Sequence, residues 1–360
     1  MRLNRIVSAI IAVSAFSLFS SGFSTDSLAD GRAQSSSGQQ KDQQKEKPKL
    51  QKPERPTPAE QEEPAKDQEI LKITADLVTL DVTVVDPNNK PVMNLKQEQF
   101  KIFEDKVPQQ IDFFGRDEVP VSLVFAIDTS GSMRAKLDTV IKASGNLVKE
   151  SRADDEIAVI EFKDQPELLE EFTTDIHDVV DTLEGLIASR QTAMLDALYL
   201  AADYADKEGK NRRKAVIMVT DGLDKDSYYK FDEVVNHLRE TDVQIYLVGF
   251  TNDLSKDGAW IFKKSDKEKA EGLLNKLASE TGGRAFFPRE LAEVHTIAKQ
   301  ISTDLRTQYS IGYYPTNSNR DGTFRAIKVQ VNAGDRRVVA RTRNGYTAPR
   351  EGGRSNPNKP

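Results

Sequence analysis

The stretch VSLVFAIDTSGSM, residues 121–133, decides the fold of this chain. Five of its first seven residues are large and apolar or aromatic, which is typical of a strand buried on both faces at the centre of a parallel sheet. Asp128 follows directly, and a tight loop rich in hydroxyls comes before the next helix-like run. Ligands of open α/β sheets gather where strands end and helices begin. Asp128, Ser130 and Ser132 therefore form a candidate site for a hard cation.

Two further stretches end at positions that complete this site. Residues 213–221, RKAVIMVTD, predict a second buried strand ending in Asp221, and Gln191-Thr192 opens a helix whose first turn carries a hydroxyl. Mg²⁺ takes about six oxygens and usually keeps waters or accepts an oxygen from outside the protein. The set of candidate ligands leaves room for such a group, and it consists of Asp128, Ser130, Ser132, Thr192 and Asp221.

Composition excludes several classes of protein. The net charge of −6 is mild for 360 residues, and no stripe of lysine or arginine with interleaved aromatics occurs, so nucleic acid is not an expected partner. The chain has no cysteine, which excludes disulfides, thiol catalysis and cysteine-ligated zinc. A metal site in this chain must be built from oxygen ligands.

The N-terminal residues predict export. Arg2 and Arg5 precede an apolar run that ends near Phe19, and Ser27-Leu28-Ala29 fits the cleavage rule of a secretory signal peptide. The run is shorter than the ~20 residues that a spanning helix needs, although an uncleaved membrane anchor is the alternative. We expect a signal peptide over residues 1–29 and a location in the periplasm, in the cell envelope or outside the cell.

Changes in composition divide the rest of the chain. Residues 30–69 are rich in Gln, Lys, Glu, Pro and Ser and predict a disordered linker, and residues 349–360 predict a disordered tail. Residues 118–306 alternate strands with six helical stretches, and a short polar strand near residues 168–172 is expected at an edge. This alternation predicts a doubly wound, mostly parallel α/β sheet.

The two flanks of this domain read as β segments, at residues 70–117 and 307–348. Each offers one apolar face that is too small to bury alone. We predict that both flanks form a single β-sandwich into which the α/β domain is inserted, and the alternative is two separate β appendages. The apolar faces are expected to consist of Leu77, Leu80, Val82 and Val84 in the first flank and of Ile327, Val329 and Val331 in the second.

The site residues, in this order and on these elements, resemble the metal-ion-dependent adhesion site of von Willebrand factor A-type (VWA) domains, over residues 119–305. The resemblance implies a Mg²⁺ or Mn²⁺ ion with Ser130, Ser132 and Thr192 as direct ligands in at least one state, and with Asp128 and Asp221 bound directly or through water. It also implies a protein partner whose Asp or Glu fills the open position. The flanks resemble bacterial exported "VWFA-related" proteins in the stretches EQFKIFED, residues 98–105, and GYYP, residues 312–315.

Other polar residues near the site allow two interpretations each. Asp224 and Asp226 add a rim ligand or form a solvated acidic loop, and Arg190 steers an anionic ligand or forms a surface salt bridge. Trp260 is an interface anchor or covers a helix end. The three histidines lie in separate helical stretches and are interpreted as surface or half-buried side chains, at His177, His237 and His295.

These patterns predict an exported, cation-dependent protein-binding module that is not an enzyme and has no small-molecule substrate. A Mg²⁺-dependent hydrolase or phosphoryl-transfer enzyme is the rival hypothesis, and it would need a general base or nucleophile beside the metal. Asp128 is the only candidate for that role, and no G-K-[ST] phosphate loop accompanies it. An envelope assembly scaffold with a structural metal is a third hypothesis, which differs from adhesion only in the partner.

Overall fold

The computed structural model describes residues 77–116, 118–188, 192–254 and 265–350. The predicted signal peptide, the predicted linker and most of the predicted tail lie outside these ranges, as do Arg190 and Trp260. None of the described helices has the length and apolar character needed to cross a membrane.

Strands and helices follow one another along the described residues much as the sequence predicts. The strands are β1 (Val78–Val85), β2 (Phe100–Glu104), β3 (Val107–Gln109), β4 (Phe113–Gly115), β5 (Val121–Asp128), β6 (Glu156–Phe162), β7 (Pro166–Thr173), β8 (Arg213–Thr220), β9 (Val243–Gly249), β10 (Arg284–Phe286), β11 (Tyr309–Tyr313), β12 (Phe324–Val331), β13 (Val339–Arg341) and β14 (Gly345–Thr347). The α-helices are α1 (Leu137–Lys149), α2 (Ile176–Glu184), α3 (Met194–Glu208), α4 (Phe231–Glu240), α5 (Asp266–Glu280) and α6 (Glu293–Arg306).

The central sheet has the strand order β10-β9-β8-β5-β6-β7. The first five strands run parallel, and β7 pairs antiparallel at the edge with two register shifts. Every residue of β5 is buried, which is what a parallel strand covered on both faces requires. The predicted doubly wound sheet and its polar edge strand are thus confirmed.

Helices cover both faces of the central sheet. Leu123, Phe125 and Ile127 of β5 pack into one core cluster with side chains of α1, α2 and α6. Val124 and Ala126, which point to the opposite face, pack with side chains of α3, α4 and α5. The result is a three-layer domain in which the parallel strands all end at the same edge.

The two flanks form one sandwich, as predicted. One sheet has the order β13-β1-β11-β4 and the other β14-β12-β2-β3, so each sheet contains strands from before and after the central domain. A single core cluster joins them, and in it the ring of Phe100 lies 5.2 Å from that of Phe114 and 5.0 Å from that of Tyr309. Neither flank can bury its apolar face without the other.

The predicted apolar face of the first flank is wrong at one residue. Leu77 is 38% exposed, whereas Val78 is 5% exposed and belongs to the sandwich core with Leu80, Val82 and Val84. The reason is the two-residue period of a strand, which places even-numbered side chains of β1 on one face and odd-numbered ones on the other.

Buried polar groups join the sandwich to the amino-terminal ends of the parallel strands. Arg213, the first residue of β8, is fully buried and donates to the carbonyl oxygen of Leu305 at 2.7 Å and to the Asp81 carboxylate at 3.2 Å. Gln308 donates its side-chain amide to Gln244 at 2.7 Å. We call this contact between sandwich and central domain the basal joint. It lies at the opposite end of the strands from the candidate site.

Candidate cation site

Asp128 is the last residue of β5, and the strand carries it to the carboxyl edge of the sheet. Its side chain is fully buried. One carboxylate oxygen accepts the backbone N–H of Ser130 at 2.9 Å, and the other accepts the hydroxyl of Thr220 at 2.8 Å. Two neighbouring strands, β5 and β8, therefore fix the orientation of this carboxylate.

The loop after Asp128 brings the two predicted serines together. Ser130 is buried and Ser132 is exposed, and their hydroxyl oxygens lie 3.1 Å apart. The loop is anchored from below, because the side chain of Met133 is fully buried and the hydroxyl of Thr129 donates to Glu161 at 2.7 Å. The D-x-S-x-S spacing thus gives one buried and one solvent-facing hydroxyl beside the carboxylate.

Asp221 follows the last residue of β8 and is 3% exposed. Its carboxylate accepts the backbone N–H of Leu223 at 3.0 Å. Gly222 makes the turn possible with a φ of +81°, a conformation that side chains disfavour, and a Cβ at this position would lie 3.2 Å from Ala270. The turn directs the chain from the strand into the loop that leads to α4.

Thr192 is 4% exposed and lies just before α3. The next residue, Ala193, donates its N–H to the carbonyl oxygen of Lys163, which follows β6. The carbonyl oxygen of Thr192 accepts the N–H of Lys225 at 3.3 Å, from the loop that follows Asp221. Thr192 is therefore tied to the ends of two strands of the sheet.

The electrostatics of this edge favour a cation. Burial raises the pKa of Asp128 from its ordinary value of 3.8 to about 6, the charge of Asp221 adds to the rise, and hydrogen bonds from Ser130 and Thr220 oppose it. In the described part of the chain no lysine or arginine forms a salt bridge with either aspartate. Hydroxyl and carboxylate oxygens are ligands that Mg²⁺ and Mn²⁺ accept, so the donor set fits such an ion.

The residues predicted at the rim have different surroundings. Asp224 is exposed and its carboxylate accepts the hydroxyl of Ser227 at 2.5 Å and the N–H of Leu195 at 3.3 Å. Asp226 is partly exposed in the same loop, and Arg190 lies outside the described residues. His177 and His295 are exposed and His237 is half-buried, which confirms their interpretation. No group of three or more His, Cys, Asp or Glu suited to a metal occurs in the described ranges.

Sequence reasoning missed three polar side chains that shape the site. The hydroxyl of Thr220 donates to the carboxylate of Asp128. The hydroxyl of Ser227 accepts a backbone N–H of α3, and the carboxylate of Asp196 accepts a backbone N–H of the loop after β8. A signal for Thr220 was present, because a threonine that ends a buried strand next to an aspartate is suited to bond a carboxylate on the neighbouring strand. Asp196 and Ser227 lie 31 residues apart in the sequence, and only the fold brings them together.

Comparison with known proteins identifies the central domain. Residues 122–300 match the von Willebrand factor type A domain family. This part of the chain is a VWA domain, and the resemblance seen in the sequence is confirmed. A comparison with curated proteins finds no match.

The chain is similar to several solved structures. With the protein BatB from Bacteroides thetaiotaomicron it shares 22% identity over 51% of this chain and 98% of the other, at a TM-score of 0.39. With the vWF domain of the type V pili tip protein Mfa5 from Porphyromonas gingivalis it shares 15% identity over 52% of this chain and 97% of the other, at a TM-score of 0.42. With a von Willebrand factor type A protein from Catenulispora acidiphila it shares 12% identity over 77% of this chain and 76% of the other, at a TM-score of 0.45.

Proposed function

We propose that this chain is an exported protein-binding module whose VWA domain captures an acidic group of a partner through a divalent cation. The observation that carries the proposal is the buried carboxylate of Asp128, held by Ser130 and Thr220 and influenced by the negative charge of Asp221. A buried carboxylate near a second carboxylate is costly unless positive charge compensates it.

The residues that would hold Mg²⁺ or Mn²⁺ are those that the sequence singled out. Ser130, Ser132 and Thr192 offer hydroxyl oxygens, and Asp128 and Asp221 offer carboxylate oxygens directly or through water. When bound, the ion supplies positive charge and a coordination position that an outside oxygen can take. The chain's own residues orient the ligands, and the exposed hydroxyl of Ser132 marks the side that faces solvent.

The partner follows from the charge of the site. Where Asp128 and Asp221 act through water, the direct ligands are neutral hydroxyls and a divalent ion would keep its positive character, so the favoured outside ligand is the carboxylate of an Asp or Glu. An acidic group on a protein surface meets this need without a small-molecule pocket. The partner is thus proposed to be a protein.

A binding role also fits the surroundings of Asp128 better than catalysis does. A general base must have an oxygen within reach of the proton that it removes. Both carboxylate oxygens of Asp128 accept hydrogen bonds from Ser130 and Thr220, and a cation held beside Asp128 would lower the basicity of its carboxylate further. We therefore propose a module that binds its partner without transforming it, at a location that the predicted signal peptide makes extracytoplasmic.

A pull-down from envelope extract tests this function. Wild-type protein is expected to retain a partner in Mg²⁺ and to release it in EDTA, and Asp128→Ala is expected to retain none. Asp232→Ala is the matched control, because Asp232 is an exposed acid in the first turn of α4. A partner that stays bound to wild type in EDTA and to Asp128→Ala would show a metal-independent interface instead.

A further inference from the structure

The loop between β8 and α4 is bonded along its length to the first turn of α3. The carboxylate of Asp196 is 4% exposed and accepts the backbone N–H of Tyr228 at 2.9 Å and that of Tyr229 at 2.8 Å. Two adjacent N–H groups that bind one carboxylate fix the local backbone of the loop, since bonds to a charged acceptor are stronger than those to a neutral one.

In a second set of hydrogen bonds across the same contact, α3 donates and the loop accepts. The hydroxyl of Ser227 accepts the backbone N–H groups of Leu195 at 3.1 Å and Asp196 at 3.2 Å, and it donates to the carboxylate of Asp224. The first N–H groups of a helix have no partner within the helix. The loop therefore caps α3, while α3 holds the loop through Asp196.

This exchange connects two of the proposed cation ligands. Thr192 lies just before α3, and Asp221 is where the loop leaves β8. The bond from the N–H of Lys225 to the carbonyl oxygen of Thr192 joins the same two segments. Thr192 and Asp221 thus lie in two segments that are joined by hydrogen bonds, and the carboxylate of Asp196 accepts two of these bonds.

We propose that Asp196 is a positioning residue of the cation site, which rests on the proposed function of that site. It acts through the backbone of residues 228 and 229, and it sets the distance between the Thr192 hydroxyl and the Asp221 carboxylate. Metal sites hold ligand distances within about 0.2 Å, so a small shift of the loop against α3 weakens binding. Groups that orient ligands typically change metal affinity about 10- to 100-fold when they are removed.

Mn²⁺ binding, measured by electron paramagnetic resonance of the free ion, tests this role in the full chain. Asp196→Ala is expected to lower Mn²⁺ affinity about 10- to 100-fold. Asp196→Asn keeps the shape and one acceptor oxygen, and an intermediate loss is expected. Asp203→Ala is the matched control, because Asp203 lies two turns further along α3 and pairs with Lys207 at 2.8 Å. Its affinity is expected to equal that of wild type.

The unfolding temperature of each metal-free variant separates positioning from a general structural role. If Asp196 only stabilises the fold, both Asp196 variants lose stability while their Mn²⁺ affinity stays within about twofold of wild type, and the proposal is overturned. Should Asp196→Ala fail to fold, Asp196→Asn decides by the same criterion. If wild type itself binds no Mn²⁺, the proposed function fails first, and that outcome is distinct from equal affinity in wild type and variants.

Discussion

The two ends of the central sheet differ in the charge that lies next to a buried charged side chain: it is of opposite sign at one end and of the same sign at the other. At the basal joint the fully buried guanidinium of Arg213 lies 3.2 Å from the carboxylate of Asp81. At the carboxyl edge the buried carboxylate of Asp128 has the negative charge of Asp221 nearby, and its pKa rises to about 6. The buried charge of Arg213 therefore has a partner of opposite sign, whereas in the described residues the buried charge of Asp128 has no salt bridge to a lysine or arginine. Removing a charge should have opposite consequences at the two ends.

The largest effect is expected at the basal joint. Asp81→Ala leaves Arg213 buried without its carboxylate, and breaking such a pair costs about 3–5 kcal/mol of the free energy of unfolding. Urea denaturation measures this loss. Asp335→Ala is the control, because Asp335 is exposed in the same sandwich and a change of about 0.5 kcal/mol or less is expected. A loss below about 1 kcal/mol in Asp81→Ala would show that the joint does not depend on this pair.

The carboxyl edge should instead gain stability when Asp128 loses its charge. Between about pH 4 and pH 6 the folded, metal-free protein keeps a proton on Asp128 that the unfolded chain has released. The contribution of Asp128 to the free energy of unfolding is thus fully present below pH 4 and falls as pH rises to about 6, by on the order of 3 kcal/mol.

The difference between wild type and Asp128→Asn reports on Asp128 and its coupling to Asp221, since the remaining carboxylates cancel. Denaturation in EDTA should show wild type losing stability relative to Asp128→Asn as the pH rises from 4 to 7. A difference that stays constant over this range would mean that burial does not raise the pKa of Asp128 in solution.

Added cation should supply the charge that the carboxyl edge lacks. An ion that binds only the folded state stabilises it by about 2.7 kcal/mol at a concentration 100 times its Kd. Wild type is expected to gain this amount in Mg²⁺ at pH 7, and Asp128→Ala and Asp221→Ala are expected to gain none while remaining folded. Thermal unfolding with and without Mg²⁺ makes the comparison, with Asp232→Ala as the variant that should behave as wild type. Equal gains in wild type and Asp128→Ala would place the ion elsewhere.

The two ends also differ in how far the sequence predicts them. The carboxyl edge could be predicted because its signals are local, with Asp128 and Asp221 each coming at the end of a mostly apolar stretch. The shared sandwich could be predicted from what neither flank can bury alone. The predicted core face is wrong at Leu77, which lies just before β1 and, as an odd-numbered residue, falls on the face opposite to Leu80, Val82 and Val84. The basal joint could not be predicted, because Asp81 and Arg213 lie 132 residues apart and no local pattern links them.

The smallest expected effect concerns Thr220, which connects the two strands that carry the aspartates. Thr220→Val keeps the size and β-branching of the side chain but removes the hydroxyl that donates to Asp128 at 2.8 Å and accepts the N–H of Gly222 at 3.1 Å. Losing a donor to a carboxylate should raise the pKa of Asp128 further and loosen its orientation. We expect about a fivefold to tenfold loss of Mg²⁺ affinity, which corresponds to about 1 kcal/mol, the usual net value of one hydrogen bond.

Isothermal titration calorimetry measures this loss of affinity. Thr241→Val is the control, because Thr241 is a buried threonine whose hydroxyl donates to the carbonyl oxygen of Leu238 at the far end of α4. If Thr220→Val binds Mg²⁺ as wild type does while Asp128→Ala does not, the orientation of the carboxylate is fixed by β5 and its loop alone. The buried negative charge at this end of the sheet would then be held in place by one strand, β5, rather than by β5 and β8 together.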